Sequence, residues 1–210
     1  MKRLSRAEQV GRNRALVLDA ARRVFLARGY HGATLEQIAE EAGFSKGVMY
    51  SQFDSKADLF LALLEARISE RAVENARLAE SMPGGDLPSL LDHLARGDQA
   101  TPGWLLLVIE FRVHAARDPE LSRRYAAAHA RTVEALADVL AAVCARNGQA
   151  PAIPARRLAE VLLAFSAGVT LEQAANPALG GRQLAAQLAQ VLEPLVRPAA
   201  PAPVAGPGAP

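Results

Sequence analysis

The sequence is short of the residues that build sheets and staples. Aromatic side chains make up 5% of its 210 residues, and strictly alternating runs of Val, Ile, Thr and aromatics are missing. Both shortages argue against a β architecture, whose half-buried strands need that alternation. The single cysteine, Cys144, excludes a disulfide within the chain. It lies among Ala and Val in a helical stretch and is expected to be a buried structural thiol. Long apolar runs are missing too. The longest uncharged helical stretch, Val161 to Leu171, falls well short of the ~20 residues that a membrane span needs. The start, MKRLSRAEQVGRNRA, is basic but lacks the apolar core of a signal peptide. No third ligand stands at metal-binding spacing beside His114 and His129. These absences lead us to expect a soluble, cytoplasmic chain with no metal, no cofactor and no membrane partner.

What is present favours helix. Half of the residues are hydrophobic, and Ala and Leu dominate. The formal net charge is only +2, but it is unevenly placed. Within residues 1–30, Lys2, Arg3, Arg6, Arg12, Arg14, Arg22, Arg23 and Arg28 outnumber Glu8 and Asp19. A basic surplus of that kind suits a phosphate backbone when a nucleic-acid motif lies beside it.

Such a motif follows at once, in TLEQIAEEAGFSKGVMYSQFDSKADLF, Thr34 to Phe60. Thr34 and Gln37 fit a capping box, and Gly43 sits where the first helix must stop. Ser45 caps a second helix expected over Lys46–Phe53, and Ala39 is small enough for a close helix crossing. The stretch therefore reads as a helix-turn-helix. Before it, a flexible arm over residues 1–10 and an amphipathic helix from Asn13 or Arg14 to Arg28 are expected. Val24, Phe25, Ile38, Met49 and Phe53 form the expected core of this three-helix head. Gly43–Gly47 also matches the G-x-S-x-G elbow of hydrolases, with Ser45 as nucleophile. That motif requires a preceding strand, and here a capped helix precedes it.

Beyond the head, a helix from Asp54 or Ser55 to about Glu80 carries an apolar stripe through Leu59, Phe60, Leu63, Leu64, Ile68 and Val73. Further helices are expected over Leu87–Ala95, Trp104–Ala116, Pro119–Arg146, Ala155–Ala175 and Arg182–Val196, punctuated by Pro and Gly. The Pro/Ala/Gly-rich end reads as disordered. The fold class is all-α. An arm and DNA-binding head occupy residues 1–54, a larger helical domain 55–197, and a tail 198–210.

Thr34, Ile38, Ala39, Ala42, Gly43, Phe44, Ser45, Gly47, Met49, Tyr50, Phe53, Ser55, Lys56 and Leu59 stand in register with a known pattern. On these residues the chain resembles the TetR family of bacterial transcriptional regulators. The resemblance covers about residues 12–60. It implies a homodimer bound to a double-stranded DNA operator and released by a small-molecule effector. It assigns DNA contact to Thr34, Ser45, Lys46, Gly47, Val48, Tyr50, Ser51, Gln52 and Lys56. Two departures bear on the operator. Ser51-Gln52 replaces an aromatic pair common after the Tyr, and Val48 replaces a common Thr or Ser.

Two further sets complete the reading. Val161, Leu162, Phe165 and Val169, with Leu184, Leu188, Val191, Leu192 and Leu195, are the expected dimer interface, because a helix apolar all round must be buried. Trp104, Leu107, Phe111, His114, Tyr125, His129 and Phe165 are the candidate lining of an effector pocket, which points to an apolar or aromatic ligand. A repressor is the main expectation. Activation, or control by a protein partner, is the alternative, and a hydrolase using Ser45 is the alternative of another class.

Overall fold

A computed structural model describes residues 5–81, 103–176, 178, 190 and 196–198. Among these the chain is helical. Helix α1 spans Arg6–Gly32, α2 Leu35–Ala42, α3 Lys46–Tyr50 and α4 Lys56–Ser81. Helix α5 spans Trp104–Ala115, α6 Pro119–Arg146 and α7 Ala155–Ala175. Strands β1 (Gln149–Pro151) and β2 (Val196–Pro198) form one short antiparallel ribbon, with Ala150 opposite Arg197. The expected helices over Leu87–Ala95 and most of Arg182–Val196 lie outside the described residues, as does the tail from residue 199.

The chain divides into two compact units, Met1–Glu74 with Gly97–Thr132 and Asn75–Arg96 with Val133–Pro210. The expected boundary at residue 54 falls inside the first unit. In the first unit, Val17, Ala21, Phe25, Ile38, Met49 and Phe53 are buried and hold the three-helix head together. The same core continues into Phe60, Leu64, Leu107 and Phe111. Phe60 and Phe111 stack with centroids 4.3 Å apart, and Tyr30 meets Phe111 edge-on at 5.0 Å. The second unit has its own core, in which Leu136, Leu140 and Val143 of α6 meet Leu158 and Leu162 of α7. Cys144 is buried in that unit, and burial pushes its thiol pKa up.

Three local expectations are corrected. Residues 6–10 are not an arm, because α1 starts at Arg6 on a capping box. The Ser5 amide donates to Glu8 Oε2 at 2.6 Å, and the Glu8 amide donates to Ser5 Oγ at 3.2 Å. Two orphan donors at the helix start are thereby satisfied, and the helix gains two turns. The recognition helix is shorter than expected and stops at Tyr50. On α4 the apolar stripe does not reach Val73, which is 52% exposed.

The turn between α2 and α3 follows the sequence closely. Gly43 adopts φ 73° and ψ 24°, a left-handed conformation that costs glycine nothing. Its amide donates to the Glu40 carbonyl, and that of Phe44 to the Ala39 carbonyl. These bonds close the last turn of α2.

Candidate nucleic-acid interface

The sequence places hydrogen-bond donors at two helix starts on the head. Thr34 Oγ1 accepts from the Gln37 amide, and Ser45 Oγ accepts from the Val48 amide. The Ser45 hydroxyl keeps its proton for an outside acceptor such as a phosphate oxygen, whereas the Thr34 hydroxyl also bonds the Glu36 carboxyl. Thr34, Ser45, Lys46 and Gly47 are exposed, Val48 and Gln52 half-buried. Met49 points into the core and fixes which side of α3 faces out. Eight of the nine residues expected to contact DNA thus lie, at least partly exposed, at the start of α2, on α3 and in the turn after it.

Two further hydroxyls there already have partners. Tyr50 is 50% exposed, and its hydroxyl donates to Glu36 Oε1 at 2.9 Å. The bond raises the Tyr50 pKa. The Glu36 carboxyl is held low, first by a bond from its own amide and then by Tyr50. A phosphate approaching Tyr50 must therefore displace a carboxylate. Ser51 Oγ donates to the Val48 carbonyl at 2.8 Å, so it meets a phosphate only after rotating.

Lys56, the ninth residue, is turned inward. Its Nζ donates to the carbonyls of Tyr30 at 2.7 Å, Ala33 at 2.9 Å and His31 at 3.3 Å. It also lies 4.6 Å from the Tyr30 ring centroid. An ammonium has three donors, and all are engaged. A phosphate at Lys56 must therefore displace a carbonyl. Lys56 bolts α4 to the link between α1 and α2. The same link is held from α5, where Glu110 Oε2 accepts the Tyr30 amide at 2.8 Å. Gly29, with φ 70° and ψ 171°, makes the kink that turns this amide outward from α1. Burial, and then the charge of Asp58, push the Tyr30 phenol up to about 12.

Sequence reasoning missed residues beside this surface. The Arg14 guanidinium lies 5.1 Å from the Phe53 ring centroid, which sets the third turn of α1 against the turn after α3. The S-x-x-E pattern at Ser5–Glu8 was the signal for the longer helix. An open groove of about 510 Å³ also lies between α1 and α2, lined by Arg23, Arg28, Gln37, Glu40 and Glu41 among others. Its polar walls do not suit an apolar effector.

The expected pocket residues separate. Leu107, Phe111 and Tyr125 are buried in the first core, with Trp104 packed against it. His114 lies 5.0 Å from the Tyr30 ring and 5.5 Å from that of His31, and His129 stacks on Tyr125 at 5.9 Å. Phe165 packs against the core of the second unit. The expected interface separates too. Leu162 is 3% exposed and belongs to its own unit's core, whereas Val161 is 46% and Leu171 49% exposed. Phe165 and Val169 are half-buried. Leu184, Leu188, Val191, Leu192 and Leu195 lie outside the described residues. Among the described residues α7 is also the one helix whose length and composition would allow it to cross a membrane.

For the hydrolase alternative, Ser45 caps α3 and follows α2, so the strand that an elbow requires is not there.

Comparison with known proteins agrees with this geometry. Residues 17–63 match the model of the bacterial regulatory proteins of the tetR family, and residues 83–200 match that of the C-terminal part of BetI-type transcriptional repressors. The HTH-type transcriptional repressor AcnR of Corynebacterium efficiens is 34% identical over 116 residues, 54% of this chain and 56% of that protein. The HTH-type transcriptional activator FasR of Mycolicibacterium smegmatis is 46% identical over 66 residues, 31% of this chain and 28% of that protein. The matches thus span about half the length of the first relative and less of the second. Among solved structures, the transcriptional regulator FadR of Bacillus subtilis, in complex with stearoyl-CoA, superposes with a TM-score of 0.66 at 17% identity, covering 86% of this chain and 96% of that one.

Proposed function

This chain belongs to the TetR family of bacterial regulatory proteins, and from that premise we propose that it is a dimeric, effector-controlled DNA-binding repressor of the cytoplasm. The observation that carries the reading is the solvent-facing set of Thr34, Ser45, Lys46, Gly47, Val48 and Gln52. It offers hydroxyl, ammonium and amide donors around the N-terminus of a helix braced by buried Met49. N-terminal residues of such a helix reach base edges in the major groove. Thr34 and Lys46 take phosphates, whereas Val48 and Gln52 face bases.

One short helix reads few base pairs, so a two-fold dimer reading two half-sites is part of the proposal. On α7, Val161, Ala164, Gly168 and Leu171 recur at helical spacing on the side away from buried Leu158 and Leu162, and all four are exposed. An apolar, small-residue stripe of this kind supports a second copy of the chain as its cover.

Control follows by linkage. Tyr30 is held from α4 by Lys56 and from α5 by Glu110, so a ligand that displaces either helix shifts the head. Only a ligand that binds the DNA-competent and the displaced forms unequally changes operator affinity. A small, largely apolar effector fits the apolar character of α5. The similarity to AcnR favours repression, and the similarity of the head to FasR supports activation as the second reading.

Selection of bound fragments from a random DNA pool tests the proposal. A palindrome with half-sites about one helical turn or slightly more apart is expected. Failure to enrich any sequence at moderate salt would remove the DNA-reading function. A reporter carrying that palindrome then gives the sign of regulation.

A further inference from the structure

Phe60 and Leu64 lie on the inward side of α4 and are buried. Seven and eleven residues beyond Phe60, helical spacing returns to the same side at Arg67 and Arg71. Where the stripe should continue apolar it turns basic. The Arg67 side chain is 12% exposed and that of Arg71 28%, so both are substantially buried. The ion pairs of Arg67, to Glu70 at 3.1 Å and Glu74 at 3.5 Å, both leave from Nη1. Its Nε is buried with no hydrogen-bond partner, and among the described residues it is the only side-chain polar atom in that condition.

A guanidinium whose stem only covers apolar surface keeps its nitrogens in water. A buried donor left unpaired is costly, so a partner that reaches it stabilises the site. Arg71 shares Glu74 with Arg67, at 3.4 Å, so two cations stand one turn apart against partners that are about half exposed. A guanidinium presents its donors in a planar fork suited to carboxylate and phosphate oxygens. Ile68, next in sequence and partly buried against the first core, supplies apolar surface beside it.

We propose that Arg67, supported by Arg71, is the anion-recognition point of the effector site, and that the effector is an amphipathic small molecule bearing a carboxylate or phosphate. The Arg67 guanidinium turns from Glu70 and Glu74 to donate to its anionic oxygen, and the apolar remainder lies along the Ile68 side of α4. This deepens the effector-controlled reading above and rests on it for the link to DNA. Sequence alone had pointed to an apolar or aromatic ligand from the lining at Trp104, Leu107, Phe111 and their neighbours, and the two arginines were not placed on the inner face.

The test titrates the full-length protein with straight-chain carboxylates, alkyl phosphates and the matching primary alcohols, reading heat of binding and operator release. Carboxylates or phosphates are expected to bind at least about tenfold tighter than alcohols of equal length. Whichever anion series shows the preference identifies the headgroup. Arg67→Met should remove the preference, bringing anion binding down to that of the alcohol of equal length. Should Arg67→Met fail to fold, Arg67→Lys, which keeps charge but loses the fork, is expected to weaken anion binding about tenfold. Equal anion binding by wild type and variant, or none by either, overturns the assignment even where the operator is selected normally. Arg67-dependent anion binding in a protein that selects no DNA would instead leave this site standing and overturn the regulator.

Discussion

Two lysines ten positions apart illustrate how little residue type says about role. Lys46 opens the recognition helix, is exposed, and lies close enough to Glu36 to affect that carboxyl. Lys56 has its ammonium against three carbonyls and an aromatic ring. In sequence both were basic residues in a DNA-binding motif, and nothing local separated them. The difference comes from tertiary packing, which brings the 30–33 link under the first turn of α4. Lys46→Ala is expected to weaken binding to every DNA sequence and to flatten the salt dependence by about one unit. Lys56→Met should leave the salt slope unchanged and lower unfolding stability by about 1–3 kcal/mol, since carbonyls lose their donor. A urea titration beside binding curves at several salt concentrations separates the two. A flattened slope for Lys56→Met would return that residue to the phosphate contacts.

At the scale of elements, caps were legible and lengths were less so. Thr34 with Gln37, Gly43, Ser45 and the Asn147-Gly148 stop all act where the sequence placed them. Each is a local device whose physics needs no neighbour. The start of α1 was legible too, in Ser5 and Glu8, but the basic residues around them read as a solvated arm. The inward turn of Arg67 and Arg71 could have been found by helical spacing alone; Val73 drew the stripe the wrong way. Helix α3 ends early because Ser51 bonds back to Val48 and Gln52 turns, features that no propensity specifies. Gly47 in this five-residue helix is a test of purpose. A Cβ there would meet nothing nearer than Ser45 Oγ at 3.9 Å, so the free protein has room for alanine. Gly47→Ala should raise stability by up to about 1 kcal/mol through helix propensity. If the backbone closes on DNA at this point, the same change weakens operator binding. Thermal melts and operator titrations of the one variant are expected to move in opposite directions, and unchanged operator affinity would place Gly47 away from the DNA.

At the scale of the molecule, the question is what covers α7. Its inner side, Leu158, Ala159 and Leu162, is buried, while Val161, Ala164, Gly168 and Leu171 are not. The sequence argument that this helix must be buried all round was right about composition, but within one chain it is met on one side only. Length and apolarity would also allow a membrane, yet Arg156, Arg157 and Glu160 stand in its first two turns, and one full side is already committed to a protein core. A second copy of the chain meets both facts, because small residues at Ala164 and Gly168 let a symmetry-related helix approach closely. Val161→Glu and Leu171→Glu place a carboxylate on that side and leave the buried side intact. Each variant should keep its helix content and the fold of the head. In sedimentation the wild type is expected as a dimer and the double variant as a monomer. Affinity for a palindromic operator should then fall by more than tenfold, with non-specific binding retained, because a monomer gives up the second half-site. Wild-type stability should also rise with protein concentration, as it must when folding and association are linked. A wild type that sediments as a monomer, or that floats with lipid vesicles, removes the dimer and with it the requirement for a palindrome.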